Sequence, residues 1–123
     1  MGPKRKLAVV EDNPDNRLLV QAMLEDEYEI QEYENGPSAL SGMRADRPDL
    51  VLLDISLPGM DGTLILKEIR KDEHLRGLAV IALTAHAMSG DRERYLAAGF
   101  DDYISKPIVD ESELLRVITR CLG

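Results

Sequence analysis

Short runs of consecutive apolar residues stop abruptly along this chain at acids or hydroxyls. Leu7-Ala8-Val9-Val10 ends at Glu11-Asp12, Leu50-Val51-Leu52-Leu53 ends at Asp54, and Leu78 to Leu83 ends at Thr84. Runs without polar alternation match strands covered on both faces, as in a parallel sheet. Two shorter and more polar segments, Glu29 to Tyr33 and Asp102 to Ser105, have the composition of edge strands.

Helical signals fill the intervals. Asn13 is an N-cap with Pro14 at the first helical position, and Leu18, Leu19, Ala22 and Met23 recur at the spacing of a buried stripe. Gly36-Pro37 opens a second helix with Ala39, Leu40 and Met43 inward. Gly62 precedes a third, in which Ile65, Leu66 and Ile69 face the core while Lys67, Glu68, Arg70 and Lys71 face water. Gly99 stops a fourth after Tyr95-Leu96-Ala97-Ala98. Asp110 and Glu113 read as a capping box for the last helix, striped by Leu114, Leu115, Val117, Ile118 and Cys121.

Five strands, each followed by a helix through short connections, predict an α/β domain, because parallel neighbours need a crossover of helix size. Right-handed crossovers leave few arrangements. The flavodoxin-like, doubly wound (βα)5 sheet of order 2-1-3-4-5 sets strands 1 and 3 side by side at the switch point, where ligands bind beyond the strands' carboxyl ends. Glu11, Asp12 and Asp54 then share one crevice.

With 123 residues, the chain is expected to form a single domain over residues 1–123. The 44% of apolar residues suffices for a core without staples. A formal charge of −8 repels a phosphate backbone, so direct nucleic-acid binding is not expected. Cys121 is the single cysteine and cannot form an intramolecular disulfide, which fits a reducing cytoplasm. No apolar run approaches the ~18 residues of a membrane span. The basic start Met1-Gly2-Pro3-Lys4-Arg5-Lys6 leads into an apolar stretch that stops at Glu11, and Lys6 stands where a myristoylation motif has Ser or Thr. Neither export nor a lipid anchor is expected.

Three crowded carboxylates raise one another's pKa, so something must compensate them. Mg2+ is commonly held by one or two carboxylates, waters and a phosphate, which makes it the economical choice. Two other strand ends bring Thr84 and Lys106 to the same edge. A hydroxyl and an ammonium around a metal-loaded carboxylate are what a transferred phosphoryl group requires, because its charge lies on peripheral oxygens. Each residue alone has a bland explanation: a helix start for Asp12, a turn for Thr84, an exposed charge for Lys106. Their convergence is what carries weight.

Glu11-Asp12, Leu50 to Asp54, Leu57-Pro58-Gly59-Met60-Asp61-Gly62, Leu83-Thr84-Ala85 and Tyr103-Ile104-Ser105-Lys106-Pro107 together resemble, in order and spacing, the receiver domain of two-component response regulators. The likeness runs from about Lys6 to the C-terminus. It implies that Asp54 accepts a phosphoryl group from a phosphohistidine on a histidine kinase or histidine phosphotransfer protein, with the receiver itself catalysing the transfer. It also implies that Asp12 and Asp54 ligate Mg2+ directly, Ser56 offers its backbone carbonyl, and Glu11 acts mainly through coordinated water. Lys106 would pair with one phosphoryl oxygen and Thr84 bond another, while small Ala85 keeps the approach open. Tyr103 corresponds to the family's two-position aromatic switch, and the Lys106-Pro107 bond would be cis. Ser56 and His86 stand at positions flanking the line of water attack, where they would set the dephosphorylation rate.

The expected function is therefore a bacterial, phosphorylation-controlled switch whose output passes through the surface of helix 4, strand 5 and helix 5 to a downstream target protein. It would not be an enzyme beyond its own phosphorylation and dephosphorylation, and would act as a monomer or a phosphorylation-dependent dimer. A stand-alone regulator similar to those of chemotaxis and cell division leads; a receiver excised from a hybrid histidine kinase is the alternative. A Mg2+-dependent aspartyl phosphohydrolase competes from another class. The residue two places after Asp54 is Ser56, however, where such an enzyme carries a second acid.

Overall fold

The structure, a computed structural model, describes residues 4–55, 62–84, 91–106 and 110–122. Strands β1 (Arg5–Val10), β2 (Tyr28–Tyr33), β3 (Leu50–Asp54), β4 (Ala79–Thr84) and β5 (Asp102–Ser105) alternate with helices α1 (Pro14–Leu24), α2 (Gly36–Ala45), α3 (Gly62–Lys71), α4 (Asp91–Ala98) and α5 (Glu111–Leu122). All pairings are parallel and the strand order is β2-β1-β3-β4-β5, as the sequence pattern predicts. Polar β2 and short β5 lie at the edges, while β1, β3 and β4 occupy the middle.

Strand alternation divides the core in two. Ala8, Val10, Val51, Leu53, Val80 and Ala82 face a cluster completed by α2, α3, Tyr95 and Phe100. Leu7, Val9, Leu50, Leu52, Ile81, Leu83 and Ile104 face the opposite way, toward Val20 and Leu24 of α1 and Leu114, Val117 and Ile118 of α5.

The caps follow the sequence signals. Asn13 accepts from the Asp15 and Asn16 backbone N–H groups, and Asn35 from Ser38, which satisfies donors left open at each helix start. The Asp110 carboxylate accepts from the Glu113 N–H in the same way. Gly99 has φ +114°, a left-handed conformation that ends α4.

Two expectations need correction. In α1 the inward residues are Val20 and Leu24, with Met23 partly packed, whereas Leu18, Leu19 and Ala22 are exposed. The helix is rotated by its first turn: Asn16 and Arg17 hydrogen-bond back to Glu11 and Asp12, and residues 16, 20 and 24 then share a face. Arg70 does not simply face water. Its guanidinium donates to the carbonyls of Arg76, Leu78 and Gly99 and to Asp101 Oδ2, tying α3 to the segments entering β4 and β5.

Candidate functional site

Register brings the strand ends level. Val10 lies beside Leu53, Asp54 beside Leu83, and Thr84 beside Ser105, so the residues that follow the apolar runs meet along one edge of the sheet. The Glu11 N–H donates to the Tyr33 carbonyl at 3.0 Å, and the Ile55 N–H to Leu83 at 3.0 Å, which carries sheet bonding past the strands into the site.

One carboxylate oxygen from each of Glu11, Asp12 and Asp54 lies within 4.8 Å of the others. Glu11 is 1% and Asp54 3% exposed, while Asp12 is open to solvent. Lys106 Nζ stands 2.9 Å from Asp54 Oδ2 and 2.9 Å from Glu11 Oε2. Its bond to Asp54 is a directed hydrogen bond. Glu11 Oε2 is buried and, among the described residues, meets no partner in directed hydrogen-bond geometry, although the Lys106 ammonium is close enough for an ion pair. The backbone aims this lysine, because the Lys106 N–H donates to the Thr84 carbonyl at 2.7 Å.

Burial pushes the Glu11 carboxyl above the usual carboxylate range, and neighbouring Asp54 adds to this; Asn16 and Lys106 oppose it without cancelling it. Burial works against the Lys106 ammonium, but Asp54 and Glu11 outweigh it and hold its pKa above the ordinary lysine value. With the acids ionised, three carboxylates and one ammonium leave two negative charges in excess. An under-bonded buried carboxylate oxygen beside a second buried acid and an open third one fits a hard divalent cation such as Mg2+.

Gly62 closes the floor of the site. A Cβ there would lie 2.5 Å from the Asp54 carbonyl oxygen and 2.8 Å from Ile55 Cα, so only glycine lets α3 start this close to the end of β3. Its N–H donates to the Ile55 carbonyl at 2.9 Å.

Thr84 is buried like Glu11 and Asp54 but turned to the other side of the sheet. Alternation continues Leu52 into Asp54 on the α1–α5 side and Ala82 into Thr84 on the α2–α4 side. Thr84 Oγ1 lies 3.0 Å from the hydroxyl of buried Tyr95. Tyr103 is half-buried on this side, its ring 6.1 Å from that of Tyr95. The expected ligand Ser56, the gatekeeper Ala85, His86 and the Lys106-Pro107 bond fall wholly or partly outside the described residues.

Sequence reasoning missed three residues. Asn16 donates from Nδ2 to Glu11 Oε1 at 3.1 Å, and Arg17 Nη1 donates to the Glu11 and Asp12 carbonyls at 2.8 and 3.3 Å, holding the acidic turn against α1. Their position one turn after Asp12 was the available signal. The third is Tyr95, an aromatic near the centre of a short helix in which Leu96 is the other large apolar residue.

A parallel five-stranded switch-point site with this acid, hydroxyl and lysine edge defines a class of phosphoryl-handling α/β domains. Residues 7–119 match the family described as the response regulator receiver domain, and the chain belongs to that family, the signalling switches of two-component systems. It is 44% identical over 105 residues to the polar-differentiation response regulator DivK of Brucella anthropi, covering 85% of each chain. It is also 38% identical over 122 residues to the sensor histidine kinase GacS of Pseudomonas protegens, covering 96% of this chain but only 13% of the kinase. Among solved structures, the receiver domain of a sensor histidine kinase from Pseudomonas aeruginosa, with magnesium coordinated in its active-site cleft, superposes with a TM-score of 0.88. That domain is 38% identical, with 98% of this chain and 99% of that one covered. The chemotaxis protein CheY4 of Vibrio cholerae gives a TM-score of 0.88 over 97% and 99% of the two chains; at 24% identity it speaks for the fold. No helix among the described residues is long and apolar enough to cross a membrane.

Proposed function

We propose that Asp54 is the phosphoacceptor. A carboxylate oxygen of Asp54 forms a bond to phosphorus as the phosphorus–nitrogen bond of a partner's phosphohistidine breaks and the imidazole leaves. The observation that carries this reading is the 2.9 Å contact of Lys106 Nζ with the buried Asp54 carboxylate, beside two further acids. Asp12 and Asp54, with Glu11 through water and Ser56 through its carbonyl, would hold Mg2+. When bound, Mg2+ neutralises charge on the phosphoryl oxygens. Lys106 balances a further oxygen, and Thr84 donates its hydroxyl to another. The chain thereby catalyses its own phosphorylation, and Ser56 and His86 tune hydrolysis.

Capture of Thr84 by the phosphoryl group opens space for Tyr103 and changes the face formed by α4, β5 and α5, which a downstream protein reads. The partners are a histidine kinase or phosphotransfer protein and that target, in the cytoplasm, with residues 1–123 acting as one receiver unit. The 44% identity to DivK, a response regulator, supports a stand-alone layout. The match to GacS supports a second layout, a receiver module within a hybrid kinase.

The test is intact mass after incubation with Mg2+ and a reactive small phosphodonor. One added phosphoryl group, absent from Asp54→Ala, is the expected result. No addition, or addition that survives the substitution, overturns the assignment, and rapid multiple turnover of the donor would favour a phosphohydrolase instead.

A further inference from the structure

We propose that the Tyr95 hydroxyl is a resting-state restraint on Thr84, held through the Thr84 Oγ1 to Tyr95 Oη hydrogen bond, so that a phosphoryl group must break this bond to recruit Thr84. The inference rests on the phosphoacceptor reading above and concerns how that site is coupled to α4.

Direction comes first from the donors. Arg94 Nη2 lies 3.3 Å from Tyr95 Oη, and its guanidinium also sits over the Tyr95 ring, 5.1 Å from the centroid. An arginine has no acceptor, so the tyrosine oxygen receives from Arg94, while across the 3.0 Å contact between Tyr95 Oη and Thr84 Oγ1 either hydroxyl can donate. The ring itself is fixed. Tyr95 is buried, packed edge-on against Phe100 at 6.0 Å and tilted against Tyr103 at 6.1 Å.

Geometry supplies the competition. Asp54 points to the α1–α5 side of the sheet and Thr84 to the α2–α4 side, where Tyr95 waits. A phosphoryl oxygen on Asp54 can take the Thr84 hydroxyl only if that side chain turns over the end of β4, away from α4. The buried Tyr95 hydroxyl then loses its Thr84 partner, which is costly unless Tyr95 and the helix carrying it move toward water. Recruiting Thr84 and loosening α4 become one event. Tyr95 is accordingly a positioning residue that sets how easily the phosphorylated state forms and how strongly α4 responds.

The test compares the parent chain with Tyr95→Phe, which keeps the ring packing and removes only the hydroxyl. The probe is beryllofluoride, a phosphoryl mimic, titrated with Mg2+ and followed by fluorine NMR, with amide shifts of residues 91–98 as the second readout. Tyr95→Phe should bind beryllofluoride about two- to tenfold more tightly, the scale of one neutral hydrogen bond, and show smaller α4 amide shifts. The gain should vanish when Tyr95→Phe is made on a Thr84→Ala background, an outcome that altered ring packing alone would not produce. Equal or weaker binding by Tyr95→Phe, or a gain that persists without the Thr84 hydroxyl, overturns the restraint while leaving the phosphoacceptor reading intact. Failure of the parent chain itself to bind beryllofluoride would overturn both.

Discussion

Glu11 illustrates how a single side chain can be held in an unfavourable state by its neighbours. Its carboxyl is shifted upward even though Lys106 and Asn16 both touch it, so burial and Asp54 together exceed the attraction. A group whose folded pKa is raised binds protons more readily when native, and its ionised form subtracts from stability once pH exceeds the unfolded value. Glu11→Gln should therefore raise stability at neutral pH without Mg2+ by on the order of 1 kcal/mol, read by urea denaturation. A loss of stability would mean that the Lys106 contact dominates. Gly62 makes the opposite kind of demand, since its missing side chain is what admits α3 against the Asp54 carbonyl. Gly62→Ala should cost about 1–3 kcal/mol through overpacking against backbone and should also weaken Mg2+ binding, measured by calorimetric titration.

Among the elements, α1 separates what periodicity can say from what it cannot. Val20→Ala or Leu24→Ala should cost roughly 1–4 kcal/mol, whereas Leu18→Ala, at a position 65% exposed, should stay within about 0.5 kcal/mol of the parent in denaturant unfolding. The apolar residues of α1 cover more than one face, and its rotation is chosen by hydrogen bonds from Asn16 and Arg17 to the preceding turn, which no hydrophobic pattern encodes. Strands were legible for the opposite reason: β1, β3 and β4 are covered on both faces, and their apolar runs end where the site begins. Thus Glu11, Asp54 and Thr84 stood out as the residues that end those runs, and Lys106 as the residue just after the last strand. Tyr95 did not, because its partner lies eleven residues away across a strand–helix junction and nothing periodic links them. The contact between α2 and the turn after α3 offers a pH test. The Arg44 guanidinium, 2.6 Å away, and the His74 N–H hold Asp72 below the usual 3.8, so this pair contributes stability above that pH and loses it as pH falls through the depressed folded value. Arg44→Ala should flatten the acid limb of the stability–pH profile in that window, followed by circular dichroism.

For the molecule as a whole, the distribution of charge decides how ligand and fold are linked. The chain carries a formal −8, and among the described residues Glu11, Asp12 and Asp54 are gathered at one edge of the sheet, with the Lys106 ammonium between two of them. Like charges this close are tolerated because the five-stranded frame is fixed elsewhere, by two apolar clusters and by clasps such as Arg70 and the Arg120–Asp102 pair. The frame bears the repulsion; a cation relieves it. A divalent ion that binds the native site and not the unfolded chain stabilises by mass action, which gives about 1.4–2.7 kcal/mol at ~10–100 times its dissociation constant. Thermal unfolding should therefore move upward with millimolar Mg2+ in the parent chain. Asp12→Asn should lose most of that increment, and so should Asp54→Asn, although each removes one carboxylate and therefore starts from a less repulsive site. Because screening by added salt also softens repulsion among exposed charges, the comparison is made at constant ionic strength with NaCl replacing MgCl2. An increment that NaCl reproduces, or that survives both substitutions, would place the effect on general surface charge and not on the three acids.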